Sequence, residues 1–153
     1  QIKSWLRWLQ LTTGNDGADM AEYQWSDELS VGDPGIDDEH KTLLELVEKL
    51  RAASRSGQGR DEVGQLLDEL VSYTVTHFAH EESHMREIDY PDYPQHKAEH
   101  ERLLVQIRDL QARFRSGSIT ITVSVSNFLS DWLFYHIVWQ DKKLVAAIHA
   151  ARQ

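Results

Sequence analysis

The residues able to do chemistry gather in two short runs. The first is His77-Phe78-Ala79-His80-Glu81-Glu82-Ser83-His84-Met85. The second is His96-Lys97-Ala98-Glu99-His100. If both runs are helical, His77 and Glu81 lie one turn apart on one face, and so do His96 and His100. Imidazole and carboxylate pairs at that spacing are how a helix offers two ligands to one metal centre. The alternative for each is a solvated histidine on a polar face. Two such pairs within one helical hairpin make a metal site the better account.

Four helices are needed to position these groups. Helix A is expected from Ile36–Asp37 to just before Gly57. Its stripe, Ile36, His40, Leu43, Val47 and Leu50, alternates steps of four and three, as a bundle helix does. His40 therefore fills a core slot. Ahead of it, Trp25 to Gly35 reads as an irregular lead-in, with Trp25 as an apolar plug; Gly32, Pro34 and Gly35 argue against a helix there. Helix B should run from about Asp61 to Ile88 on Leu67, Leu70, Thr74, His77, Glu81, Met85 and Ile88. His77 and Glu81 thus interrupt an apolar stripe, and an unpaired buried carboxylate costs roughly several kcal/mol. His80 and His84 fall to one side of that stripe and Glu82 to the other, so all three are expected at the bundle edge or in solvent. Pro94 suits the first turn of helix C, whose stripe is His96, His100, Leu103, Ile107, Leu110 and Phe114, ending at Gly117.

The stretch from Ser118 to Ser126 alternates like a strand but has no partner strand, so it reads as a loop entering helix D. Helix D carries Val125, Leu129, Trp132 and His136 on one stripe and runs to about Ala150. Asp141 comes five residues after His136, which on an ideal helix turns it away by about 140°. Asp141, Val145 and Ile148 make a stripe of their own, so the register must slip between His136 and Asp141. A bulge in the helix would bring both inward.

The composition sets limits. A chain of 153 residues suits one core, and 41% apolar content fits a folded domain. No apolar run approaches the roughly 20 residues of a spanning helix. There is no cysteine, which removes disulfides and cysteine-held clusters. A formal charge of −9 argues against nucleic acid as a partner. Eight histidines in an acidic, cysteine-free chain favour metals that take N and O ligands. Residues 1–13 form an amphipathic pattern, with Ile2, Trp5, Leu6 and Leu9 on one stripe and Lys3, Arg7 and Gln10 off it. That composition suits docking on a protein partner, a membrane surface or a second copy. It also suits an accessory element folded back on the domain or the remnant of a longer chain. Gly14 to Asp19 is a linker by composition. The organisation expected is an extension over 1–19 and a domain over 20–153. The extension lacks the apolar core and cleavage site of a signal peptide, and a cytoplasmic location is expected.

Four helices now contribute core-slot ligands: His40; His77 and Glu81; His96 and His100; His136 and Asp141. Between about Trp25 and Leu144 the chain resembles a bacterial hemerythrin. The resemblance rests on His40 in Asp37-Asp38-Glu39-His40, on His77-Phe78-x-x-Glu81-Glu82, on the Tyr90-Pro91 turn, on His96-x-x-x-His100, and on Trp132-Leu133-x-x-His136-Ile137-x-x-x-Asp141. It implies an all-α, up-down-up-down antiparallel four-helix bundle with an N-terminal amphipathic extension. It also implies a non-haem di-iron centre that binds O2 reversibly, for transport, storage or sensing. By the family pattern His96, His100 and His136 hold one iron, His40 and His77 hold the other, and Glu81 and Asp141 bridge them together with an oxo or hydroxo group. Two octahedral ions offer about twelve positions, of which these ligands fill about eleven. The vacancy would lie on the two-histidine iron. Leu43, Phe78, Trp132 and Trp139 are the expected walls of a dry O2 pocket.

A di-iron enzyme acting on peroxide, O2 or nitric oxide is the alternative. Ferritin-like enzymes also use four-helix bundles, with paired Glu-x-x-His motifs. Here only Glu81-x-x-His84 matches, and Asp37-x-x-His40 begins with Asp. Five histidines are too nitrogen-rich for that class, so no catalytic residue is expected.

Overall fold

The structure, a computed structural model, describes residues 24–153. The segment 1–13 and its linker lie outside the described residues. The lead-in contains a short 3-10 turn, Asp27–Leu29, and Trp25 packs against the core as a plug, with the Lys41 ammonium 5.1 Å from its ring centre. The helices are α1 (Pro34–Arg55), α2 (Arg60–Glu87) and α3 (Tyr93–Arg115), followed by a fourth in three pieces: α4 (Val123–His136), a π-helical turn (Ile137–Asp141) and α5 (Lys142–Ala151). The π turn joins its neighbours without a break, because His136, Ile137, Asp141 and Lys142 all keep right-handed helical dihedrals.

Helix α1 starts earlier than expected. Pro34 and Gly35 belong to it, because Asp33 caps it by accepting from the Gly35 and Ile36 N–H groups at 3.0 and 3.2 Å. Pro34 at the first helical position loses nothing, since that N–H has no partner within a helix. A second carboxylate fixes the lead-in: buried Asp37 accepts from the Ser30 hydroxyl (2.5 Å) and the Val31 N–H (2.8 Å). At the head of α2 the Gly59 N–H donates to Glu62 (2.9 Å). Helix α3 ends on Gly117, whose φ of 80° suits a residue without a Cβ. The alternating stretch after it forms no strand; Thr122 caps α4 by accepting from the Val125 N–H (3.3 Å).

Every core-slot residue of the α1 and α3 stripes is buried. The apolar residues fall into two clusters. One holds Leu43, Leu50, Leu67, Ile107, Leu110, Leu129 and Leu133, and the other holds Ile36, Met85, Ile137, Leu144, Val145 and Ile148. Along α1, α3 and the fourth helix the polar core slots fall before, after or between residues of these clusters. The ligand set is thus a polar layer inside an apolar bundle. Helix α1 packs on α2 and α4, and α2 packs on α3. An open groove of about 1190 Å³ follows the seam between α3 and α4.

The cap at Asp33 is the one fixed start of α1. Asp33→Ala should cost about 1 kcal/mol and lower the melting temperature by roughly 2–4 °C, measured by circular dichroism on the iron-loaded protein.

Candidate metal centre

Two helices supply their pairs by regular spacing and the fourth by an irregular turn. On α2, His77 and Glu81 are one regular turn apart. On α3, His96 and His100 have the same spacing just inside the helix start. On the fourth helix the extra residue of the π turn rotates Asp141 back under His136, leaving His136 Nε2 and Asp141 Oδ1 3.1 Å apart. The register slip read from the stripe is this turn.

All seven residues are buried, with 4% exposure or less. They form two overlapping groups: Glu81, His96, His100, His136 and Asp141 in one; His40, His77, Glu81 and Asp141 in the other. Both carboxylates belong to both groups, and each divides its oxygens. Glu81 turns Oε1 to His40 (3.8 Å) and His77 (3.4 Å), and Oε2 to His96 (3.7 Å), His100 (3.1 Å) and His136 (3.9 Å). Asp141 turns Oδ2 to His40 (3.0 Å), and Oδ1 to His96 (3.2 Å) and His136 (3.1 Å). In every case the imidazole atom is Nε2. The His40, His77 and His96 Nε2 atoms and all four carboxylate oxygens have no hydrogen-bond partner in the protein. Converging lone pairs this deep in a core must be met by cations or by protons, and a cation between them meets all of them at once. The donor set fits two ions, each with imidazole nitrogen and shared carboxylate oxygen.

Two residues to which the sequence assigned no role at the centre orient this set. Glu39 accepts from His77 Nδ1 (2.6 Å), and Glu82 faces His100 Nδ1 (3.2 Å). A carboxylate on the outer ring nitrogen fixes the tautomer that leaves Nε2 free to bind metal. Glu82 was expected at the edge; it is there, but turned inward. The rule that a ligating histidine needs such a partner was the signal available. Which carboxylate crosses from which helix was not. The rings are also held by packing. Phe78 stacks on His100 with centroids 3.8 Å apart and planes 6° from parallel, and lies 5.4 Å from His136 and 5.8 Å from His77.

The expected pocket walls divide. Leu43 and Phe78 are buried. Trp132 is half-buried, 6.2 Å from Phe78 and 6.5 Å from His136 by ring centres, so it flanks the three-histidine group. Trp139 is not a wall. It is 58% exposed and lies in the open groove between α3 and α4 with Tyr135 and Trp132. The π turn accounts for this, because the residue that restores Asp141 to the core leaves Trp139 on the outer surface.

Residues 32–148 match the family model "Hemerythrin HHE cation binding domain". The chain belongs to the hemerythrin family. It is 41% identical over 106 residues to the bacteriohemerythrin of Methylococcus capsulatus, covering 69% of this chain and 80% of that protein. It is 37% identical to the bacteriohemerythrin of Stenotrophomonas maltophilia, covering 86% and 84%. A crystal structure of wild-type hemerythrin superposes with a TM-score of 0.78 at 35% identity, covering 86% of this chain and 98% of that one. Membership in the hemerythrin family makes the metal iron, and the two overlapping groups fit its di-iron centre.

Without iron the cluster holds protons instead. Burial alone would push His40 and His136 down, but the Asp141 and Glu81 carboxylates outweigh it and raise them to about 9 and about 10. At His100 burial wins, and its pKa is lowered. Burial and mutual repulsion oppose ionisation of Glu81, and burial opposes that of Asp141, yet the surrounding imidazoles hold both well below the ordinary carboxylate range. The raised imidazoles stabilise the iron-free fold fully below their unfolded pKa of about 6.5, and that contribution disappears as pH rises through 9 to 10. The depressed carboxylates act oppositely: their contribution is present above about 4 and is lost as pH falls. The thermal midpoint of the iron-free protein should therefore fall between pH 6 and pH 10, while that of the iron-loaded protein stays nearly flat. Differential scanning calorimetry of both forms checks this. A flat iron-free profile would show that His40 and His136 are neutral.

Proposed function

We propose that this chain is an oxygen-binding module, taking up O2 reversibly at a di-iron centre held by His40, His77, His96, His100, His136, Glu81 and Asp141, with no turnover. The observation that carries the reading is the division of each carboxylate between a three-histidine and a two-histidine group. That arrangement would hold two ions with unequal sets of histidines. Two ferrous ions supply the electrons that bind O2 reversibly at the vacant position. The rest is the work of the chain. His96, His100 and His136 would give one ion three imidazoles, and His40 and His77 would give the other two, leaving room for O2 on the side of His40 and His77. Glu39 and Glu82 hold the Nδ1 protons of His77 and His100 outward. Leu43, one turn from His40, keeps water from the two-histidine side, while Phe78 packs chiefly on His100 and His136. Water or protons admitted there would leave both irons oxidised.

Peroxide and nitric oxide are small enough to reach the same vacancy, and reaction with them is a side activity in this reading. No helix among the described residues is long and apolar enough to cross a membrane. A cytoplasmic location belongs to the proposal, because a reducing compartment returns the irons to the ferrous state. Residues 20–153 are the oxygen-binding domain. The Trp5, Leu6 and Leu9 face of 1–13 serves association with a protein partner, a membrane surface or a second copy.

Admitting air to the dithionite-reduced protein should bring up near-ultraviolet charge-transfer bands, and removing O2 under vacuum should abolish them. Bands that persist under vacuum would mean irreversible oxidation and would overturn the carrier reading. Leu43→Ala should keep its iron but speed autoxidation and azide entry, whereas Trp139→Ala should match the parent in both. The truncated chain 20–153 should retain iron and O2 binding while changing its hydrodynamic size or its association.

A further inference from the structure

Three of the eight histidines take no part in the buried centre: His80, His84 and His149. Two of them, His80 and His84, share a face of α2 one turn apart. His80 is 58% exposed and His84 is 33% exposed. Each has a carboxylate on Nδ1. His80 Nδ1 is 2.5 Å from Glu39 Oε1, and His84 Nδ1 is 3.5 Å from Glu87 Oε2. The Glu39 contact on His80 is the device that orients His77 and His100 in the core, where Glu39 and Glu82 hold Nδ1 and leave Nε2 to the metal; the Glu87 contact on His84 is a looser ion pair. On α2 that device is repeated on the outer face at His80, with His84 one turn further on.

We propose that His80 and His84 form a second, exposed cation site on α2, for a borderline divalent ion of the Zn2+ class. Two imidazole nitrogens from one helix face provide the ligands that such an ion prefers, and solvent supplies the rest. The site is separate from the buried one, all of whose ligands are enclosed. Glu39 lies between them, with Oε2 on His77 and Oε1 on His80. One carboxylate therefore orients a buried ligand and an exposed ligand together. The pairing of His80 with Glu39 across the α1–α2 contact also fixes the imidazole in place, lowering the ordering cost of capture.

The test is calorimetric titration of Zn2+ alone into the iron-loaded, oxidised full chain near neutral pH, with the near-ultraviolet iron bands followed in parallel. The parent should take up one Zn2+ per chain with no loss of those bands. His84→Asn should weaken that uptake by at least about tenfold and leave the iron bands unchanged. His80→Asn should weaken it likewise. His149→Asn, remote in sequence and on α5, should bind Zn2+ as the parent does. Three results would overturn the site: no Zn2+ uptake by the parent, parent-like uptake by His84→Asn, or Zn2+ entry that occurs only as iron leaves. None of these bears on O2 binding, so the two readings fail independently.

Discussion

The structure depends on two carboxylates that cannot be buried as they are without compensation. Glu81 and Asp141 are fully enclosed, and no protein group satisfies any of their four oxygens by hydrogen bonding. Five imidazoles surround them. Protons shared with His40 and His136 meet part of the demand in the iron-free chain. Two cations meet it in full. The cost of leaving such charges unpaired is several kcal/mol per ion, roughly the whole stability of a domain this size. Metal binding and folding are therefore one problem here.

That demand explains the architecture around the layer. The site residues are rigid because each rests on a helix, and two of the histidines are held by a second contact as well. His100 is fixed by the Phe78 ring on its face and Glu82 at its edge, and His77 by Glu39. The fourth helix gives up regularity to deliver its second ligand. A regular turn suffices for His77 and Glu81, where the carboxylate is long and four residues away. His136 and Asp141 are five apart, and the π turn absorbs the extra residue without breaking the helix. The apolar clusters on either side keep the helices in contact, so the bulge costs one turn of ideal hydrogen bonding and no core.

The same turn separates apolar residues that the sequence treats alike. Phe78 and Trp139 both lie within three residues of a ligand, and both look like pocket walls. One is enclosed against His100 and the other stands in an open groove between α3 and α4. Proximity along a chain sets the side of a helix only when the helix is regular. Trp139 lies inside the irregular segment, where the usual angle per residue does not hold.

The sequence by itself determined the bundle, the burial of the seven polar residues and the need for a register slip before Asp141. Each follows from periodicity: a polar group in an apolar stripe must be buried, and a stripe that fails to continue must be re-phased. The start of α1 was also present in the sequence, in Asp33 followed by Pro34, although glycine and proline there read as a break. Only the tertiary structure decided how each carboxylate shares its oxygens, which acids cross between helices to hold His77 and His100, and which aromatic rings face the ligands. Those are relations between residues far apart in the chain, as in His100 with Glu82, His77 with Glu39 and Asp141 with His40. Helical periodicity fixes the direction in which a side chain leaves its own helix; the distance and rotation between helices, which come from packing, fix what it meets.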